Sequence, residues 1–470
     1  MNEKATRTVD VAVIGAGTAG LAAYRAARKL GKETLLIEAG AHGTTCARVG
    51  CMPSKLLIAA AEAAHHATHA TPFGVSATVE VDGRAVMARV RSERDRFVGF
   101  VLDGVDSIPD EHHLTGRARF VGPNALDVDG TRVEATSIVI ATGSSPFVPP
   151  MFDAIRDRLI VNDDVFAWDD LPRSVAVFGA GVIGLEIGQA LHRLGVRVRV
   201  FGKSGTVGPI ADPVVKAAAA TALRAELDVD FDAQVRAAAP EGEAGVAVRF
   251  VDADGNERAS HFEAALIAAG RRPNVASLDV ERAGIGPGAT IDRATLRWGD
   301  SHVFVAGDAN DDAPLLHEAA DEGTIAGENA ARFPDVRAGQ RRTPLSIAFT
   351  EPGLAVVAGG FRAASARGPF VTGEVDFGNQ GRSRIILQNK GVARLYADPA
   401  TRRFLGAEIA GPRAEHLAHL LAWAHQAGLT IDQMLAMPFY HPVVEEGLRT
   451  ALRDVAAKLD GGAVRAEADA

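Results

Sequence analysis

Residues Val9-Asp10-Val11-Ala12-Val13-Ile14 form a short, nearly continuous apolar run of the kind a parallel sheet buries on both faces. Gly15-Ala16-Gly17-Thr18-Ala19-Gly20 follows at once and opens an Ala-rich helical stretch to Leu30. The order is strand, tight turn, helix. Gly15 allows the turn, Gly17 lets a pyrophosphate approach the backbone, and Gly20 lets helix and strand pack, with free N–H groups of the helix facing the phosphates. A second run, Thr34 to Ile37, ends in Glu38, 18 residues beyond Gly20 (38 − 20 = 18). A dinucleotide fold places the acceptor for a ribose 2′-hydroxyl there.

The pattern begins again at Ser174. Val175 to Phe178 leads into Gly179-Ala180-Gly181-Val182-Ile183-Gly184, then a helix and the strand Val196 to Phe201. Each copy closes alike, with a hairpin signal (Asp129-Gly130, Asp254-Gly255) and a final strand (Ile138 to Gly143, Ala265 to Gly270). From first glycine to closing glycine the copies span 128 residues (143 − 15) and 91 residues (270 − 179), so the first carries an insertion. Ser301 to Ala309 is a strand running into Gly307-Asp308, with a helix predicted from Leu315. The last part alternates strand-like runs, Ile385 to Gln388 and Val392 to Tyr396, with a helix over Ala414 to Ala427. These patterns predict an α/β protein with two Rossmann-like dinucleotide-binding domains and a C-terminal α+β domain. The first domain takes residues 1–150, completed by 271–340; the second takes 151–270 and the third 341–470.

Composition narrows the partners. With 470 residues, 47% of them hydrophobic, the chain can build about three cores. A net charge of -9 gives no basic footprint, which argues against nucleic acid and anionic lipid as partners. No apolar run reaches the roughly 18 residues of a membrane span, and the first seven residues lead directly into a strand pattern. A cytoplasmic protein is expected.

The insertion in the first copy holds the only two cysteines, Cys46 and Cys51. Four residues separate them, too wide for a CxxC redox motif and without the second ligand pair of a zinc site. In a reducing compartment their disulfide would be transient and catalytic. A helix is expected from Pro53 to about Thr68, which puts Cys51 at its positive end, where thiolate is favoured. His65 and His69 share one face of that helix without an accompanying cysteine or carboxylate, so no metal site is assigned. Near the C-terminus His441 is followed by Glu446, which can orient its imidazole.

These residues resemble the flavin-dependent pyridine-nucleotide disulfide oxidoreductases over nearly the whole chain, most closely their dihydrolipoyl dehydrogenase branch. The family's redox segment reads approximately GGTCxNxGCxPSK; here it runs from Gly43 to Lys55, with Thr44 for the second glycine and Arg48 for the asparagine. The resemblance implies FAD held by Gly15, Gly17, Gly20, Glu38, Thr45 and Lys55, by the turn Thr142-Gly143-Ser144, and by Asp308 with Leu315, Leu316 and His317. It implies NAD or NADP at Gly179, Gly181, Val182, Ile183, Gly184 and Lys203, with Gly270 and Arg271. It further implies that Cys46 meets the substrate, that Cys51 faces the flavin, and that Lys55 pairs with Glu186 beside the flavin N5 edge. His441 and Glu446 become an acid–base pair serving the other subunit, so an obligate homodimer is implied, with a small-molecule or protein-bound dithiol, a lipoyl group above all, as substrate.

Two departures leave alternatives open. Eighteen residues after Gly184 (202 − 184 = 18) stands Gly202 instead of the carboxylate that binds a 2′-hydroxyl and repels a 2′-phosphate. Lys203, Ser204 and Arg199 could hold that phosphate, whereas Gly184 itself is NAD-like. Phe439 replaces the first histidine of the branch's HxHP. An NADPH-dependent disulfide reductase of the glutathione-reductase type is therefore the alternative enzyme, and a redox-inert flavin-binding subunit the alternative from another class. Mercuric and large thioredoxin reductases are disfavoured, because no cysteine follows Glu446.

Overall fold

The structure, a computed structural model, describes residues 6–252 and 255–461. The chain divides into two compact units. One contains the stretch ending at Leu56, Ala88–Phe147 and Gly270–Arg341; the other contains Leu57–Met87, Val148–Ala269 and the chain from Arg342 onward. Residues 57–87, expected with the first domain, thus group with the second unit, as the C-terminal sheet does.

In the first unit, strands Arg7–Ile14, Thr34–Glu38, His113–Thr115, Thr131–Ile140 and Val303–Val305 are parallel, and Ala118–Gly122 and Ala125–Val128 extend the sheet as antiparallel neighbours. The sheet is buried on both faces. Val11 and Val13 point into one core with helix Thr18–Lys29, while Ala12 and Ile14 point into the other, which explains the unbroken apolar run. Asp129 (φ 46°) and Gly130 (φ 86°) make the tight hairpin the sequence signals.

The second unit repeats the plan. Strands Val229–Asp230, Arg197–Phe201, Ser174–Phe178, Ala264–Ile267 and Leu159–Val161 form a parallel sheet in that order. A three-stranded antiparallel sheet follows, in which Gly245–Val251 pairs with Glu257–Phe262; Asp254 of the hairpin signal lies outside the described residues. The C-terminal part is a five-stranded antiparallel sheet packed on helices Ala414–Gln426 and Glu446–Leu459. One expectation fails there. Ile385 ends the helix Gly381–Ile385 and Leu387 has φ 57°, because Gln380 caps the Ser383 N–H and Gln388 N–H returns to Ser383 O, so this run curls into a turn instead of pairing as a strand. Among the described residues no helix is long and apolar enough to cross a membrane.

Candidate active site

The two glycine motifs share one stereochemistry. A Cβ on Gly15 would stand 2.3 Å from Ala141 O and one on Gly20 would stand 1.8 Å from Gly15 O; at Gly179 and Gly184 the corresponding contacts are 2.3 Å to Ala268 O and 1.9 Å to Gly179 O. These four positions exclude any side chain. The middle glycines differ, for a Cβ on Gly17 or Gly181 meets nothing within 4 Å. Each motif therefore closes the turn with its outer glycines and leaves an open space before the middle one, at the start of helices Thr18–Lys29 and Val182–Arg193. A pyrophosphate fits there. Val182 and Ile183 are the first two residues of the second helix. Glu38 lies beside the first motif, its Oε2 accepting the Ala16 N–H at 2.7 Å and its Oε1 the Gly40 N–H at 2.7 Å.

At the second site nothing like Glu38 can be built. A Cβ on Gly202 would stand 2.8 Å from Phe231 Cα and 2.9 Å from Asp230 O, so the backbone packing admits glycine. Lys203 and Ser204 are exposed, and the Ser204 N–H donates to Asp232 Oδ1 at 2.9 Å. Arg199, a third candidate for a phosphate, is committed elsewhere: it pairs with Asp228 at 3.1 Å and lies 4.3 Å above the Phe250 ring.

The redox segment begins at Gly43 (φ 114°), where a Cβ would press on Val98 at 2.9 Å. Thr44 stands at φ 58°, a conformation suited to the glycine it replaces, and offsets that cost by capping helix Thr45–Val49, its Oγ1 accepting the Ala47 N–H at 3.3 Å. Arg48 donates to Ala41 O at 3.2 Å. Cys51 is exposed and is the first residue of helix Cys51–Thr68, two residues earlier than expected. Cys46 is half-buried. The neighbouring Cys51 side chain first, and burial second, push the Cys46 thiol up. Four residues on, Lys55 Nζ donates to Ser54 Oγ at 3.3 Å.

A second cluster gathers residues far apart in sequence. Arg271 Nε donates to Ser144 Oγ at 2.8 Å, and Ser144 Oγ donates to Asp308 Oδ2 at 2.6 Å. Arg271 Nη2 also donates to Ser144 O, while Asn274 N and Nδ2 donate to Gly143 O and Thr142 O. Gly270, at φ 105°, lets the chain enter this cluster and accepts the Phe147 N–H. Oγ1 of Thr142 is buried without a partner among the described residues. Helix Leu316–Arg332 follows, with Leu315 as its N-cap residue, no side-chain cap, and both Leu316 and His317 exposed.

In the second unit, Glu186 is buried and its Oε1 accepts the Phe349 N–H at 2.8 Å. His441 Nδ1 lies 3.0 Å from Glu446 Oε1 on an exposed surface that also carries Tyr440. Sequence reasoning missed four buried carboxylates, Asp212, Glu318, Glu322 and Glu408. For Glu322 a signal existed, since it sits on the alanine and glycine face of its helix, where a charge is out of place.

The pyridine nucleotide-disulphide oxidoreductase model matches residues 9–323, and its dimerisation-domain model matches residues 345–452. Dihydrolipoyl dehydrogenase of Halobacterium salinarum is 31% identical, covering 94% of this chain and 95% of that protein. Mercuric reductase of Staphylococcus aureus is 26% identical over 94% of this chain and 81% of its own length. Among solved structures, the HOCl-induced flavoprotein disulfide reductase RclA of Escherichia coli superposes with a TM-score of 0.78 at 23% identity, covering 94% of this chain and 99% of that one. With two open glycine cradles, the paired thiols and these matches, the chain belongs to the pyridine nucleotide-disulphide oxidoreductases, dihydrolipoyl dehydrogenase-like flavoenzymes that use FAD and NAD(P).

Proposed function

We propose that this enzyme, as an obligate homodimer, oxidises a dithiol of the dihydrolipoamide kind. The observation that carries the reading is the His441–Glu446 pair, which aims Nδ1 at a carboxylate and leaves Nε2 to take a proton. In the proposed reaction the enzyme starts with Cys46 and Cys51 as a disulfide. His441 of the partner subunit takes a proton from the substrate dithiol, and the thiolate attacks Cys46 Sγ. The Cys46–Cys51 bond breaks and a mixed disulfide forms, with Cys51 leaving as thiolate. The second substrate thiol then attacks the substrate sulfur of that mixed disulfide, closing the substrate disulfide and releasing Cys46, which takes up the proton this thiol gives up. Bound FAD supplies two-electron transfer between the thiol pair and the nicotinamide.

The same reading gives residues 1–150 and 271–340 to FAD, with Asp308, ordered by Ser144, on the ribityl hydroxyls. It gives residues 151–270 to the nicotinamide nucleotide, residues 341–470 to dimer contact, and Lys55 to the flavin's reactive edge. It places the enzyme in the cytoplasm, where a disulfide between these two cysteines stays transient. Steady-state rates with dihydrolipoamide, oxidised glutathione and quinones, each with both nicotinamides, test it; dihydrolipoamide turnover no better than that of the other substrates sinks it.

One observation favours the glutathione-reductase type as a second reading. Gly202 admits no carboxylate, and the exposed Lys203 can face a 2′-phosphate. If Lys203 binds that phosphate, Lys203→Ala raises KM for NADPH about tenfold and leaves KM for NADH unchanged; equal effects on both remove the argument.

A further inference from the structure

Helix Leu316–Arg332 packs on helix Thr18–Lys29 almost backbone to backbone: a Cβ on Gly323 would stand 2.2 Å from Ala19 O, and one on Gly327 would stand 2.3 Å from Ala23 O. Such an interface suits small apolar residues, yet the helix buries two carboxylates along it, Glu318 and Glu322. Glu322 is completely buried. Its Oε2 accepts the Gly307 N–H at 2.8 Å and Asn310 Nδ2 at 2.7 Å, and its Oε1 lies 2.9 Å from Arg341 Nη1. The other arm of Arg341 reaches Glu318 Oε2 at 2.8 Å. A buried ion pair contributes little stability compared with a hydrophobic packing of equal volume, so this arrangement calls for another role.

Its location supplies one. Gly307 immediately precedes Asp308 and stands at φ 67°, with room so short that a Cβ there would stand 3.0 Å from Ala19 Cβ. The Asp308 carboxylate is fixed by Ser144, and the backbone N–H of the preceding residue, Gly307, is fixed by Glu322. Burial pushes the Glu322 carboxyl up, and the Gly307 N–H, the Arg341 charge and the Asn310 amide act against that rise. Without Arg341 the carboxyl would be a poorer acceptor for the turn.

We infer that Glu322, held by Arg341, is a positioning residue for FAD: it sets the Gly307–Asp308 turn so that Asp308 meets the ribityl hydroxyls. The inference rests on the proposed role of Asp308. The test uses purified holoenzyme, measuring the FAD dissociation constant by flavin fluorescence on dilution and the visible circular dichroism of the bound flavin. Glu322→Ala leaves the Gly307 N–H unpaired and is expected to weaken FAD about tenfold or more and to change the flavin dichroism. Glu322→Gln keeps an oxygen for Gly307 and should restore much of the affinity. FAD held within about twofold of the wild type by Glu322→Ala, with the same dichroism, overturns the inference. Should that variant not fold, Arg341→Gln carries the test, with weaker FAD expected and unchanged FAD decisive against it. Asp308→Ala separates the two claims. Unchanged FAD binding in that variant refutes the Asp308 assignment, whereas weakened binding there with intact binding in the Glu322 and Arg341 variants refutes only the positioning role.

Discussion

His441 Nδ1 lies 3.0 Å from Oε1 of Glu446, whose Oε2 also accepts the Val443 N–H at 3.1 Å. Burial acts to raise the Glu446 carboxyl, but the His441 and Val443 hydrogen bonds outweigh it and hold the group below its ordinary range, charged at neutral pH. Glu446→Gln removes that charge and is expected to slow dithiol oxidation about a hundredfold with flavin content unchanged. Full turnover in this variant would end the acid–base assignment. The sign of the stability effect follows from the lowered carboxyl: its contribution is complete above the unfolded-state value and is lost as pH falls through the folded one. Urea midpoints of wild type and Glu446→Gln should therefore differ at pH 7 and converge as the pH drops from about 5 toward 3.

The raised Cys46 thiol has a different consequence. Cys51 is the first cause of the rise, so Cys51→Ala removes it and leaves burial, opposed by the backbone N–H groups of residues 51 and 52. Cys46 should then form thiolate at lower pH. Iodoacetamide labelling of Cys46, followed by mass spectrometry between about pH 6 and 9 in reduced protein, should run several-fold faster in Cys51→Ala than in the wild type. Equal rates would show that the two sulfurs do not share the proton.

The glycines of the first motif separate folding from binding. Gly20→Ala forces a Cβ to within 1.8 Å of Gly15 O, a backbone atom that cannot retreat without opening the turn, and should yield little soluble protein. Gly17→Val enters open space. That variant should fold and yet purify without FAD, read from the ratio of absorbance at 450 and 280 nm, which is about zero for a flavin-free protein. A yellow, fully loaded Gly17→Val would place the pyrophosphate elsewhere.

Glu408 is buried within the second unit and accepts three backbone N–H groups, from Ala211, Asp212 and Phe361. Asp212, also fully buried, caps helix Pro213–Arg224 and binds Tyr396 and Arg394. Glu408→Ala strands three donors and is expected to cost about 3 kcal/mol or more, measured by urea unfolding of the holoenzyme. A loss below about 1 kcal/mol would mean that water replaces the carboxylate.

How much of this was legible beforehand follows from the range of the forces involved. The two glycine motifs, the apolar strands and the Cys46–Cys51 segment were readable because each rests on neighbours in sequence: a turn that tolerates only glycine, a run buried on both faces, a helix start under a sulfur. The Ile385–Gln388 run was misread, since its apolar residues fit a strand equally well and only the Gln380 cap decides for a turn. Arg199 looked available for a phosphate, but Phe250 and Asp228, from other segments of the chain, occupy it.

By itself the sequence determined the duplicated nucleotide-binding plan, the identity of the redox pair and the absence of a carboxylate at Gly202. Tertiary structure alone decided the rest. It showed that Gly202 admits no Cβ because the backbone of Asp230 and Phe231 lies against it. It also placed Glu322, 15 residues from Gly307 in sequence, under the turn that carries Asp308. Both depend on contacts between segments whose separation along the chain carries no periodic signal, so only the packed fold brings them together.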